Sequence, residues 1–278
     1  MRGVLPTSAG GCGTLRDVAV DDTWAGLADE FADGAYASVK GRVRTYVIHR
    51  QLGEHLPPPP ARVLDVGAGA GHQSFPLARA GYEVVLMDSS AGMLDKARQR
   101  LPEDVRQRVT FVEGDGAHAS QAVGGERFDA VLCHGVIGYL DDPEPVVDQL
   151  CRCVVPGGLV SIMTGNAGAM AVRPALEGRW ADALASFDTT RETGVLGLPT
   201  RADTVEEISD LIDARGVRPV QWYGVWLFVD WLDLGGAALD PDDADQLQAA
   251  AEVELEAGRR DPYRQLSRLF HLVGRADR

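Results

Sequence analysis

The stretch Val63-Leu64-Asp65-Val66-Gly67-Ala68-Gly69-Ala70-Gly71 constrains this chain more than any other, because it runs an apolar strand directly into three alternating glycines. A short apolar run bounded by turn residues reads as a strand buried on both faces. Glycine lets the backbone turn sharply and bring its N–H groups close to a ligand at the strand's carboxyl end. A parallel α/β sheet with a ligand at that edge is the expectation. The turn alone does not name the ligand: nicotinamide and flavin folds use similar ones, and some glycine clusters are only tight turns.

The surrounding sequence alternates in the way such a sheet requires. Strand-like runs fall at 62–66, 83–87, 109–112, 128–133 and 159–164, with helical patterns at 73–80, 91–101 and 143–154 between them. The spacers are long enough for right-handed crossovers, so a doubly wound, Rossmann-like sheet is the economical reading. Before it, apolar positions recur at helical spacing over 24–56 and stop at the proline run 57–60, which breaks a helix. After residue 166 the alternation lapses. Residues 167–199 read as an inserted helical cap with a Gly-rich exit, 204–215 as a returning helix, and 221–226 and 269–273 as late strands. The chain is thus expected to have a disordered tail (1–20) and one domain (21–278). Within the domain we expect an N-terminal helical cap (21–60), a ligand-binding core (61–166), an acceptor cap (167–203) and the C-terminal part of the sheet (204–278).

Three further motifs bear on the ligand. Asp88 stands 21 positions beyond Gly67, just after the second strand, where a carboxylate can accept both ribose hydroxyls of an adenosine. NAD would suit that geometry too. Glu113-Gly114-Asp115-Gly116 follows the third strand and separates the two readings, because Asp115 can accept from an adenine amino group while Gly116 offers a backbone amide. Phe128-Asp129-Ala130-Val131-Leu132-Cys133-His134 puts His134 at the end of the fourth strand, on the same crevice. Pro156-Gly157-Gly158 is a turn into the fifth strand.

Composition limits the partners. Arginine and lysine total 27 against 41 acidic residues, a formal charge of −14, so any nucleic acid would need a local basic patch. No apolar run reaches the roughly 18 residues that span a bilayer, and the first residues do not read as a signal peptide; a cytoplasmic location without membrane contact is expected. Cys12, Cys133, Cys151 and Cys153 lack paired zinc spacing and are read as reduced thiols. No metal is expected.

Taken in order, Leu64 to Gly71, Asp88, Gly114-Asp115, Phe128-Asp129 and Pro156-Gly157-Gly158 resemble the motif series of class I methyltransferases that use S-adenosylmethionine (SAM). The resemblance implies a seven-stranded sheet with an antiparallel edge and SAM across the carboxyl ends of the first two strands. A narrower likeness, from about residue 31 onward, is to the bacterial tRNA 5-carboxymethoxyuridine methyltransferase family. It rests on residues 36–44, His134, Asn166-Ala167, Gly224-Val225, Asp230-Trp231-Leu232, Asp261-Pro262-Tyr263, Arg268 and His271.

Carried over residue by residue, that likeness places Arg44, Gly67, Ala68, Asp88, Gly116, Ala117 and His134 at the cofactor, with Arg44 taking the SAM carboxylate. Asp65, Gly69, Met93 and Asp115 complete the expected set. The chain departs from the family in its cap, where Asp182, Asp188 and Glu192 stand against Arg173, Arg179 and Arg191, and Gly165 replaces an aromatic. These changes fall where the acceptor would bind.

A carboxylate acceptor needs a cationic clamp, for which Arg173, Arg191 and Arg201 are the candidates. A hydroxyl or amine acceptor would need a base, for which His134 and His271 are the candidates. Trp222, Tyr223, Trp226, Phe228 and Trp231 read as alternating aromatics on a late strand, walling an acceptor pocket or filling core or a dimer interface. The acceptor reads either as tRNA or as a small molecule, and a homodimer is compatible with the sequence. A nicotinamide oxidoreductase and a non-catalytic SAM-binding protein are the competing readings.

Overall fold

The computed structural model describes residues 34, 36–194, 197–235 and 239–278. The tail over 1–20 and the first part of the 24–56 helix lie outside them. The described part of that helix is α1 (Val39–Gly53), opened by Ser38, whose side chain accepts from Gly41 N.

Five parallel strands follow: β1 (Arg62–Val66), β2 (Glu83–Asp88), β3 (Val109–Glu113), β4 (Phe128–His134) and β5 (Val154–Asn166), in spatial order β3-β2-β1-β4-β5. Their crossovers carry α2 (Ser74–Arg79), α3 (Ala91–Arg100), the single turn α4 (Ala119–Ala122) and α5 (Glu144–Cys153). The central strands are apolar on both faces because both are covered. Val63, Leu86 and Leu132 face a layer containing Val47, Leu52 and Leu94, whereas Leu64, Val131 and Cys133 face one containing Val147, Leu150 and Ile208.

The chain then returns antiparallel. Beyond the cap, α8 (Val205–Asp213) is set by a capping box between Thr204 and Glu207. It leads to β8 (Val217–Val225), and the final β9 (Leu269–Ala276) slots between β5 and β8. The result is the expected mostly parallel seven-stranded sheet, β3-β2-β1-β4-β5-β9-β8.

Two expectations are corrected. The cap is not wholly helical: after α6 (Val172–Leu176) and α7 (Trp180–Ala185) it ends in a hairpin of β6 (Arg191–Thr193) and β7 (Pro199–Asp203). These strands are too short to show a period in sequence. What orders them is the length of β5, which runs past the end of β4 and offers its free edge to β7 through the pairs Gly165↔Ala202 and Asn166↔Asp203. The late aromatics do not share a strand either. Trp222 and Tyr223 lie on β8, Trp226 takes a left-handed φ of 63°, and Phe228 and Trp231 belong to a helix, α9 (Phe228–Gly235).

That helix start depends on a distant residue. Glu254, on α10 (Ala244–Ala257), is buried and accepts the N–H groups of Leu227 (2.9 Å) and Val229 (2.7 Å). The sequence reading had no helix at 244–257; it packs on α1 and carries Ala251 and Leu255 into the core. No described helix is long and apolar enough to cross a membrane. The buried Cys133 and Cys153 and the partly buried Cys151 are free thiols, and desolvation pushes all three upward in pKa, Cys153 to about 11.

Glu254→Ala strands two buried backbone donors and is expected to lower the unfolding free energy by about 2–4 kcal/mol. Glu254→Gln, which keeps one acceptor oxygen, loses less. Urea denaturation of the two variants checks the order.

Candidate active site

At the carboxyl ends of β1 and β2 the backbone departs from the sheet in a fixed way. Gly67 N and Ala68 N both donate to Met87 O, at 2.8 and 3.0 Å. Gly67 has φ 70°, and a Cβ there would stand 2.3 Å from Val136 Cγ2, so only glycine fits. Gly69 N then donates to Asp88 Oδ2 (2.8 Å), and Ser90 N to Asp88 Oδ1 (2.9 Å). Ser90 in turn caps α3 through Met93 N. Asp88 is thereby held by both loops at the rim of a cavity of about 130 Å³, whose walls include Gly67, Gly69, Met93, Asp115 and Gly116. Asp115 Oδ1 accepts from Ala117 N at 2.9 Å and shapes the turn that carries Gly116. Asp65 lies beneath the glycine turn, fully buried, accepting from Ser74 Oγ at 2.6 Å. Burial raises its pKa to about 6, the Ser74 hydrogen bond opposing and the Asp88 charge adding to the rise.

A second, mostly apolar cavity of about 190 Å³ adjoins the first, sharing Gly135 and Tyr139 as walls. Arg44 reaches it from α1. Its guanidinium lies 4.9 Å from the centroid of the Tyr36 ring, which itself stacks on His72 at 4.1 Å. Among the described residues no carboxylate pairs with Arg44, so its donors are available at the junction of the cavities. Farther in are Met163, Trp226 and Leu269, with Arg201, Arg268 and Glu192 at the polar side. Arg201 Nη2 is 2.6 Å from Asp203 Oδ1, while Arg268 is ion-paired to Glu192.

The expected site residues divide accordingly. Gly67, Gly69, Asp88, Met93, Asp115 and Gly116 line the first cavity, and Arg44 and Arg201 the second. Asp65 supports the turn from below. Ala68 and Ala117 pack against the two core layers rather than lining either cavity. Arg173 is corrected as a clamp: it bonds Asp230 and Glu177, each at 2.9 Å, in a network that also holds Lys40. Arg191 is half exposed and pairs with Asp141, outside the second cavity. Tyr36, Tyr139, Glu192 and Arg268 line the second cavity without having been assigned a role from sequence, and Trp226 lines it in keeping with one of its two readings, a wall of the acceptor pocket. Tyr36 and Arg268 had a signal as parts of the family likeness, and Glu192 as one of the cap's departures from it.

The two histidines require a larger correction. His134 Nε2 is 2.8 Å from Ser161 Oγ, which is 2.7 Å from His271 Nε2, and His271 Nδ1 is 2.8 Å from Gln51 Oε1. Because Gln51 donates its amide to Gly224 O, its Oε1 accepts, so His271 carries its proton on Nδ1. Ser161 then donates to His271 and accepts from His134, leaving His134 Nδ1 bare, buried and without a hydrogen-bond partner. Burial pushes His271 down to about 3 and His134 well below its ordinary value. This is a neutral chain inside the sheet, and neither ring lines a cavity. A fourth-strand histidine looks the same in sequence whether its ring faces the crevice or the core.

The sheet order, the glycine turn and Asp88 define a doubly wound protein with an adenosine-type crevice at the carboxyl edge of its sheet. A family profile described as a methyltransferase domain matches residues 64–160. The chain is 26% identical to the tRNA 5-carboxymethoxyuridine methyltransferase of Escherichia coli K12 over 94% of this chain and 97% of that protein. It is 31% identical to the demethylmenaquinone methyltransferase of Beutenbergia cavernae, over 64% and 70%. Its fold is similar to the solved CcbJ methyltransferase from Streptomyces caelestis, with a TM-score of 0.60 at 18% identity, covering 93% of this chain and 100% of that one. The chain belongs to the class I SAM-dependent methyltransferases. It is an enzyme whose cofactor is SAM, and the nicotinamide reading is set aside.

The residues present fit that cofactor: a carboxylate at the end of β2 able to accept from hydroxyl groups, a glycine-lined cradle, and an arginine that no carboxylate pairs with among the described residues. Asp88→Ala removes both the crevice carboxylate and the acceptor for two loop amides. It is expected to weaken SAM binding by calorimetry about 100-fold or more, roughly 3 kcal/mol. The buried histidines set a pH limit with a definite sign. Their folded pKa values are depressed, so the stability they confer is complete above about pH 6.5 and lost as pH falls toward 3. Thermal unfolding is expected to be flat in this respect from pH 8 to 6.5, then to fall by up to about 1.4 kcal/mol per pH unit for each ring.

Proposed function

We propose that this enzyme transfers the SAM methyl group to a carboxylate oxygen, making a methyl ester. The observation that carries the reading is the composition of the second cavity, whose described walls present arginines and no group able to take a proton at neutral pH. Among those described residues the one carboxylate, Glu192, is committed to Arg268, and burial holds Tyr139 above its ordinary range. An acceptor that arrives already ionised needs no base to activate it, and a carboxylate is ionised above about pH 5.

Bound SAM would supply an electrophilic methyl group on its sulfonium, whose transfer to the carboxylate oxygen would release a neutral thioether and cancel both charges. The chain's own part is placement and exclusion of water. Asp88, Gly69 and Gly116 would hold the nucleoside end of the cofactor, and Arg44 would take its carboxylate. Met163, Trp226 and Leu269 keep the reacting side dry, while Arg201 and Arg268 orient the acceptor.

Two sources of that carboxylate stand apart. Likeness to the E. coli enzyme along nearly the whole chain supports a carboxymethoxyuridine in tRNA. The net charge of −14, and the pairing of Arg179 and Arg191 with Asp182 and Asp141 on the cap, support a small acid, because phosphate contacts provide most nonspecific RNA affinity. Methyl-labelled SAM is incubated with tRNA bearing carboxymethoxyuridine and, separately, with small carboxylic acids. Label released by mild alkali supports the ester reading, and its location decides the source; alkali-stable label contradicts it. With the favoured acceptor, kcat is expected to stay flat from about pH 6 to 8.5, and an inflection near 7 would reveal a base.

A further inference from the structure

Two of the three arginines that line the acceptor cavity, Arg201 and Arg268, have carboxylate partners, and these differ in kind. Arg201 is joined to Asp203, which has no exposed surface and also accepts from Thr164 Oγ1 at 3.0 Å. Breaking that pair would leave a buried charge without its counter-ion, a costly state. Arg268 is joined to Glu192, whose side chain is 31% exposed at the rim. Glu192 can swing into water, and rim pairs of this sort contribute little to stability. Arg268 itself stays in place, since its backbone N donates to Trp226 O (2.8 Å) and its carbonyl accepts from Asn166 N (3.1 Å).

Glu192 reaches the cavity from β6, on the cap hairpin, whereas Arg268 belongs to the edge of the sheet. The pair therefore ties a short cap strand to the rigid scaffold across the acceptor cavity, and it does so with the same chemical group that a carboxylate acceptor would bring.

We infer that Glu192 occupies Arg268 as an internal stand-in for the acceptor carboxylate and is displaced when another carboxylate arrives. The inference rests on the carboxylate-ester reading above. Exchange of one carboxylate for another keeps the charge balance at Arg268, and the released Glu192 is solvated at the rim. A neutral acceptor offers nothing in return for the broken pair, and a cationic one is repelled by Arg44, Arg201 and Arg268 together. Preference for a carboxylate comes from Arg268 itself, and the internal pair lowers the affinity for it. If the closed pair is populated about nine-tenths of the time, its removal tightens carboxylate binding about tenfold.

The test uses the full chain saturated with S-adenosylhomocysteine and titrated calorimetrically with phenoxyacetate, a simple aryl ether acid, and with its neutral amide. Glu192→Gln is expected to bind phenoxyacetate about tenfold more tightly than the unaltered protein, and the neutral amide no more than that, so that preference for the acid is retained. Arg268→Gln is expected to abolish binding of the acid in either background. Circular dichroism and retained S-adenosylhomocysteine affinity establish that each variant is folded. Equal or weaker phenoxyacetate binding by Glu192→Gln, with Arg268→Gln still deleterious, overturns the stand-in role and leaves the carboxylate reading intact. Binding unaffected by Arg268→Gln, or absent from both the unaltered protein and Glu192→Gln, overturns both.

Discussion

Asp88 bridges two backbone amides, one from each loop that leaves the central pair of strands. Because β1 and β2 are locked in register and Gly67 and Ala68 share the carbonyl of Met87, the glycine turn has nowhere else to go. The carboxylate then joins that turn to the start of α3. Much of the rest of the crevice follows: Met93 sits on the helix that Ser90 caps, and Asp65 stays buried beneath the turn, held by Ser74. A single acidic side chain thus organises the surface on which an adenosine can lie.

The acceptor side depends on a different constraint, the unequal lengths of β4 and β5. The overhang of β5 leaves an unpaired edge just past His134, and the cap satisfies it with β7. The hairpin is carried over the junction of the two cavities, so Arg201 and Glu192 come to face Arg44 and Trp226. Trp226 fits its left-handed turn with its indole N–H donated to Lys40 O at 2.8 Å. This ties the acceptor wall to the same N-terminal helix that supplies Arg44.

The two halves of the site were unequally legible in sequence. The crevice could be read because its parts are local: glycines in one turn, an acid at one strand end, a second acid at the next. Arg44 was reached through family likeness alone, since nothing about an arginine on a helix indicates that it will meet a distant strand end. Arg268 and Glu192 became neighbours only through sheet pairing of segments far apart in the chain, and α9 through a carboxylate on α10. The misjudged histidines show the limit most clearly. A period-2 pattern assigns a face to each strand residue, but the last residue of a buried strand can turn toward either the ligand edge or the interior. For His134 it was Ser161, His271 and Gln51, on three other elements, that decided the matter.

One continuous site runs from the glycine turn to the cap, with Asp88 anchoring its glycine-turn end. Hydrogen exchange measured by mass spectrometry, with and without saturating S-adenosylhomocysteine, tests that directly. Protection is predicted at the carboxyl ends of four strands, in peptides covering 67–71, 88–93, 114–117 and 135–139, and around Arg44 on α1. Binding that leaves those peptides unprotected, or protects only distant surfaces, would contradict the account.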